Sequence, residues 1–149
     1  MTIQALSEHL KITKAGNASA AGVTAVNSDA VDMLGYDGVL LFVAAGAITA
    51  GGVQSVKAQV DTVSNFASPE DLAGTAIAIA DDDDNQIFVL DIQRPPQRYV
   101  RLVISRATQN SAFGEIYAIR YKARSGPQAN SVTDTSTVEV HADPVVGTA

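Results

Sequence analysis

The sequence predicts an all-β protein, an antiparallel β-sandwich or jelly roll of seven to eight strands with extended N- and C-terminal arms. Three observations predict it. Apolar residues fall in short runs, several with strict alternation of apolar and polar positions. Gly, Pro, Asn and Asp turn chemistry separates the runs. No helical pattern is long enough for the repeated crossovers that a parallel sheet needs. At 149 residues the chain suits one domain. Apolar residues make up 46%, yet there are only four Phe, four Tyr and no Trp, so a thin core of β-branched residues is expected.

In chain order, residues 1–22 read as an N-terminal arm, because only Ile3, Leu6, Leu10 and Ile12 carry apolar bulk. Their spacing fits a short amphipathic turn of helix or an extended segment that docks on a partner. Residues 23–124 read as the sandwich body, with strands over 23–27, 38–45, 53–61, 75–80, 86–92, 98–106 and 115–122. In 53–61, Val56, Ala58 and Val60 oppose Ser55, Lys57 and Gln59. Over 98–106, Val100, Leu102 and Ile104 form the apolar set, and over 115–122 Tyr117, Ile119 and Tyr121 do, so all of these are expected to be buried. Val39 to Val43 is continuously apolar, which suits a central strand covered on both faces or a subunit contact. Ser68-Pro69-Glu70-Asp71-Leu72 carries a helix-start pattern, with Ser68 as N-cap and Gly74 ending it after about one turn. Residues 125–149 read as a C-terminal arm rich in small and polar residues, with an eighth strand possible over 132–141 and Val132, Val138, Val140, Val145 and Val146 as sparse apolar contacts.

Composition excludes several classes of function. Ten basic against sixteen acidic residues give a net charge of −6, which argues against nucleic acid, whose binding rests on neutralised phosphates. With no cysteine there is neither disulfide nor thiolate chemistry. The longest apolar stretch, 39–50, is too short to span a bilayer, and the first residues lack the pattern of a secretory signal, so synthesis and assembly in a cytoplasm are expected. His9 and His141 both lie in the arms without a ligand at metal-binding spacing, and no Gly-x-Ser-x-Gly elbow or Walker motif occurs. Asp81 to Asp84 followed by Asn85 reads as a solvated hairpin turn or as a weak cation site; Gln86 and Ile92 stand where a calcium loop needs Gly and Glu. The expectation is a non-enzyme without cofactor or metal.

Arg94, Arg98, Arg101, Arg106, Arg120, Lys122 and Arg124 place seven of the ten basic residues within 31 positions. They form either a patch for an acidic partner or the polar faces of two strands, and Arg101, Arg120 and Lys122 share a face only if their strands are neighbours. Gly35-Tyr36-Asp37-Gly38-Val39, Asp71-Leu72-Ala73-Gly74-Thr75, Arg98-Tyr99-Val100-Arg101 and Tyr121-Lys122-Ala123-Arg124-Ser125-Gly126-Pro127 resemble segments of small tailed-bacteriophage virion proteins encoded with the capsid genes. The likeness covers about residues 29–127. It implies a capsid decoration or cement protein, found in the virion, with the major capsid protein as partner and a dimer or trimer as its own state. A neck, tail or fibre-base role is the nearest alternative. A carbohydrate or cell-surface binding module is another, disfavoured because such sites stack sugars on exposed aromatics and Trp is absent. The residues expected to touch a partner are Ile3, Leu6, Leu10, Ile12, Arg101, Arg120, Lys122, Val138 and Val140.

Overall fold

The fold is that of a computed structural model, which describes residues 5–128, 135–141 and 145–146. Among the described residues a single 3-10 turn at Leu6–His9 precedes eleven strand segments: β1 Lys11–Gly16, β2 Ser19–Gly22, β3 Val26–Asn27, β4 Val31–Asp32, β5 Tyr36–Ile48, β6 Val53–Asp61, β7 Glu70–Asp71, β8 Ile77–Ile79, β9 Ile87–Gln93, β10 Tyr99–Ala107 and β11 Ser111–Ala123. Every pairing among them is antiparallel.

Two sheets result. In the first the order is β1-β11-β5-β9, with β2 continuing along the β11 edge beyond β1; in the second it is β3-β10-β6-β7, with β4 also on β10 and β8 also on β6. Segments β1/β2, β3/β4 and β7/β8 each act as one interrupted strand lying along a single neighbour. Counted so, eight strands form two four-stranded sheets of order first-eighth-third-sixth and second-seventh-fourth-fifth, the connectivity of a jelly roll.

Alternation selects the core. From the first sheet Val39, Leu41, Val43, Leu90, Ile116 and Ala118 point inward; from the second Val56, Ala58, Val60, Val100, Leu102 and Ile104 meet them, all buried. Each such Val, Leu or Ile contributes about 1.5–3 kcal/mol of burial. Of the polar side chains that enter the core, Ser28 is paired, its hydroxyl accepting from Leu102 N–H at 2.9 Å and donating to the Asp29 carbonyl at 3.0 Å, whereas the Ser111 hydroxyl and the Gln54 amide have no hydrogen-bond partner among the described residues.

Several expectations change. Residues 11–22 are not an arm but the edge of the first sheet, so the body begins at Lys11 rather than at residue 23. Their small side chains carry no periodic signal, and the backbone of β11 holds them. No helix follows Ser68. Its N–H donates to Asp61 Oδ2 at 2.8 Å, while Lys57 Nζ (2.7 Å) and Gln59 Nε2 (2.8 Å) hold the Asp71 carboxylate beside β6. One helical turn leaves most of its end groups unpaired, whereas the sheet edge supplies partners. Residues 132–134 of the eighth expected strand lie outside the described residues, and 135–141 form no strand; they run past β1, where Lys14 N–H donates to Thr135 Oγ1 at 2.8 Å and Ser136 Oγ to the Ile12 carbonyl at 2.8 Å.

The register of β11 is the opposite of the one expected. Ser111, Phe113, Ile116 and Ala118 face inward, while Tyr117 is 37% exposed and Ile119 and Tyr121 are only partly buried. Two irregularities in the pairing with β5, between Ser111 and Phe113 and between Phe113 and Ile116, insert residues that reset the alternation. Ala118 lies opposite Leu41, where its small side chain leaves room for the leucine. The strand expected at 38–45 is not covered on both faces, because Leu40, Phe42 and Ala44 of β5 turn away from the core.

Candidate functional site

The outward side of the first sheet gathers apolar side chains from four strands. Register places Val89, Phe42, Tyr117 and Lys14 in one cross-strand row and Asp91, Leu40, Ile119 and Ile12 in the next. Ile87 is 65% exposed and Val89 is 44% exposed. Phe42 and Tyr117 stack with ring centroids 5.2 Å apart, which fixes both rings on the face. Gly38 has no side chain, and a Cβ there would lie 2.2 Å from the Tyr121 ring, so that ring lies flat over the strand. The Tyr121 hydroxyl donates to Asp91, and burial together with this carboxylate pushes its pKa up to about 12. The result is a two-row apolar stripe with a charge at opposite corners, Asp91 and Lys14. Such a contiguous patch on a stable sheet is the usual mark of an interface.

The residues expected to touch a partner do not assemble into one surface. Ile3 lies outside the described residues. Leu6 is 74% exposed on the 3-10 turn, and Leu10 and Ile12 are half-buried, Ile12 standing on the apolar face opposite Ile119. Val138 and Val140 meet Ser7, Glu8 and Gln128 in a shallow recess of about 110 Å³, which brings the two terminal segments together. β10 and β11 lie in different sheets, so Arg101, Arg120 and Lys122 share no face.

Each of these three cations has its own surroundings. Arg101 turns outward from the second sheet, under the Phe66 ring at 4.3 Å, with Nε and Nη2 donating to Gln59 Oε1 at 2.9 and 2.7 Å; burial lowers its pKa from the ordinary arginine value. Arg120 reaches inward at the sandwich end, donates from Nη1 to the Asp32 carbonyl at 2.8 Å and lies over Tyr36 at 4.9 Å. Lys122 is exposed at the end of β11, 5.9 Å from the Tyr121 ring.

The acidic turn is structural. Asp81 Oδ2 accepts from Gly51 N–H, Asp84 Oδ1 from Ile48 N–H, and Asp83 from Ala80 N–H and Gln86 Nε2, all at 2.7–2.8 Å. Asp81 and Asp84 tie the β8–β9 loop to the end of β5 and the β5–β6 turn, and Asp83 closes the loop on itself. Among the described residues no group of three His, Asp or Glu side chains is arranged to hold a metal ion.

At the other end of the sandwich, Met33, Leu34, Gly35, Tyr36, Asp37, Arg94, Pro95, Gln97, Arg98 and Arg124 line an open cleft of about 430 Å³. Hydrogen bonds from Arg98 hold the Asp32 carboxylate below its usual pKa and raise that of Arg98 in turn. The sequence names parts of both surfaces, 39–43 as a possible subunit contact and Arg94, Arg98 and Arg124 within a basic cluster, but assembles neither. The apolar face leaves a signal, since 39–43 and 87–90 are both apolar at successive positions, which one-sided burial does not require. No protein-family model matches the chain, and no curated protein matches it in sequence.

Proposed function

We propose that the protein is a non-enzymatic virion component, a decoration protein that attaches to the outer surface of a tailed-phage capsid and stabilises contacts between major capsid subunits. The single observation that carries this reading is the apolar stripe on β9, β5, β11 and β1, exposed at Ile87, Val89 and Tyr117 and half-buried at Leu40, Phe42, Ile119 and Ile12, and built on strands rather than loops. A flat sheet face suits docking on a broad protein surface. Covering side chains such as Ile87 and Val89, already partly buried, gains about 1–2 kcal/mol each, so a stripe of this size supports specific attachment only when repeated across many copies. The resemblance of 29–127 to virion proteins supplies the particular setting.

Copy number tests the setting, and one substitution tests the face. Quantitative mass spectrometry of purified particles is expected to find hundreds of copies per particle; a dozen or fewer would assign the protein to the neck or tail, and none would remove it from the virion. Val89→Lys, at an exposed position, is expected to leave the fold intact and to weaken rebinding to stripped particles at least tenfold. Unchanged rebinding would rule out this face.

A further inference from the structure

The end cleft gathers three of the six arginines of a chain whose net charge is −6. They meet there because the β9–β10 turn, the start of β10 and the end of β11 all arrive at the same end of the sandwich. The three guanidinium groups are not equivalent. Arg98 clamps Asp32 through Nε at 2.9 Å and Nη2 at 2.8 Å, and Arg124 lies on Asp37 Oδ1 through Nε at 3.2 Å and Nη2 at 2.9 Å. Arg94 makes no side-chain hydrogen bond or ion pair with any of the described residues. Its backbone is nonetheless fixed: φ is +49°, and its N–H donates to the Asp37 carbonyl at 2.7 Å. Two carboxylates against three guanidiniums leave one positive charge in excess at the mouth.

The rest of the lining is apolar apart from Gln97, whose Nε2 donates to Glu70 Oε2 at 2.7 Å. Leu34 stands 66% exposed on the β4–β5 turn, with Pro95 and the Tyr36 ring nearby and Met33 buried beneath. One available guanidinium beside an apolar shelf suits a single carboxylate attached to apolar chain. It does not suit a polyanion, because Asp32 and Asp37 would repel every further charge.

We propose that this cleft is a docking site for an extended acidic segment of a partner protein, in which an Asp or Glu carboxylate pairs with Arg94 and a neighbouring apolar side chain packs on Leu34 and Pro95. The segment is foreign rather than the acidic turn of a second copy. Backbone donors already occupy Asp81, Asp83 and Asp84, leaving only Asp82, and that turn sits at the far end of β5, so self-association would run head to tail into rings or open-ended chains. This site is separate from the apolar sheet face and does not depend on the capsid reading.

Amide chemical shifts of the full chain, followed by NMR, read the site. The probes are a blocked Ala-Leu-Glu-Leu-Ala peptide, its Gln counterpart and, separately, inorganic phosphate. The Glu peptide is expected to move residues 34–37 and 94–98, and the Gln peptide to bind about tenfold more weakly, the worth of a hydrogen bond to a charged group. Arg94→Gln should cost the Glu peptide a similar factor and Arg94→Lys less; the spectra of both variants report directly that they are folded. No shift at millimolar Glu peptide, equal affinity for the two peptides, or an Arg94→Gln variant that binds normally would overturn the proposal. So would phosphate moving the same amides as strongly, which would make this a small-anion site. Sedimentation showing chains of molecules that Asp82→Asn dissolves would assign the cleft to a second copy instead.

Discussion

Ile116 and Tyr117 are adjacent in β11 and test its register directly. Ile116 is fully buried and packs over Gly16 of β1, where an added Cβ would already lie 3.1 Å from its Cδ1. Truncating it to Ala removes contacts from a site flanked by paired strands that cannot collapse, so a cost of about 2–5 kcal/mol is expected. Tyr117 is 37% exposed, and its main contact on the outer face is the stack on Phe42. Tyr117→Ala therefore loses roughly 0.5–1.5 kcal/mol for the ring pair and a little for partial burial. For a domain of this size each kcal/mol moves the unfolding midpoint by about 3 °C. Differential scanning calorimetry should then show Ile116→Ala melting about 6–15 °C below the parent and Tyr117→Ala only about 2–6 °C below it. If Tyr117→Ala were the more damaging of the two, the alternation read from sequence would be right and the bulges in β11 wrong.

Other outcomes follow from the same structure. Asp32, Asp61 and Asp71 all titrate below their ordinary value of 3.8, Asp32 because of Arg98, Asp71 because of Lys57 and Gln59, and Asp61 because backbone donors from Ser68 and Val63 outweigh the upward push of burial. A lowered carboxylate stabilises the fold above its unfolded pKa and ceases to do so as pH falls through its folded value, so stability should drop below about pH 4. The gap in melting temperature between the parent and Asp61→Asn should close over the same range, and a gap independent of pH would contradict this. Asp82, which makes no hydrogen bond with a described residue, should tolerate Asn without a thermal shift, whereas Asp84→Ala strands the Ile48 N–H and should destabilise by about 1–3 kcal/mol; equal effects would mean the turn is merely solvated. Deleting residues 1–10 should leave a β-type circular dichroism spectrum, while deleting 1–22 removes β1 and β2, bares the β11 edge and should yield insoluble or unfolded protein; a soluble, folded 23–149 fragment would restore the N-terminal arm.

How much was legible depended on how strictly a segment alternates. Residues 53–61 were read to the residue as β6, and 98–106 differs from β10 by one position at each end, because Val56, Ala58, Val60, Val100, Leu102 and Ile104 leave no choice of face. The pattern over 115–122 marks β11 as a strand but points its faces the wrong way round. There the bulkier set, Tyr117, Ile119 and Tyr121, outranked Ala118, and nothing local announces the pairing irregularities that decide the matter. β2, Ser19-Ala20-Ala21-Gly22, has no side chains large enough to show a period; its place is dictated by the edge it completes.

The sites were harder to read for a reason that lies in the topology. The clustering of basic residues between Arg94 and Arg124 is plain in the sequence, and treating two consecutive strands as neighbours would make it a patch. In this jelly roll all consecutive strands but the fourth and fifth cross between sheets: β9 and β11 belong to the first and β10 to the second. Basic residues close in sequence are thereby sent to an outer face, a sandwich end and a strand terminus, as Arg101, Arg120 and Lys122 are. What consecutive strands do share is their ends, where each turn hands the chain across. Arg94 and Arg98, on either side of the β9–β10 turn, meet Arg124 at the close of β11 for that reason, and the cleft they rim lies where sequence proximity and spatial proximity coincide. The apolar stripe obeys the complementary rule, for it is assembled from β9, β5, β11 and β1, strands as far apart in sequence as Ile12 and Ile119 that only the completed sheet brings side by side.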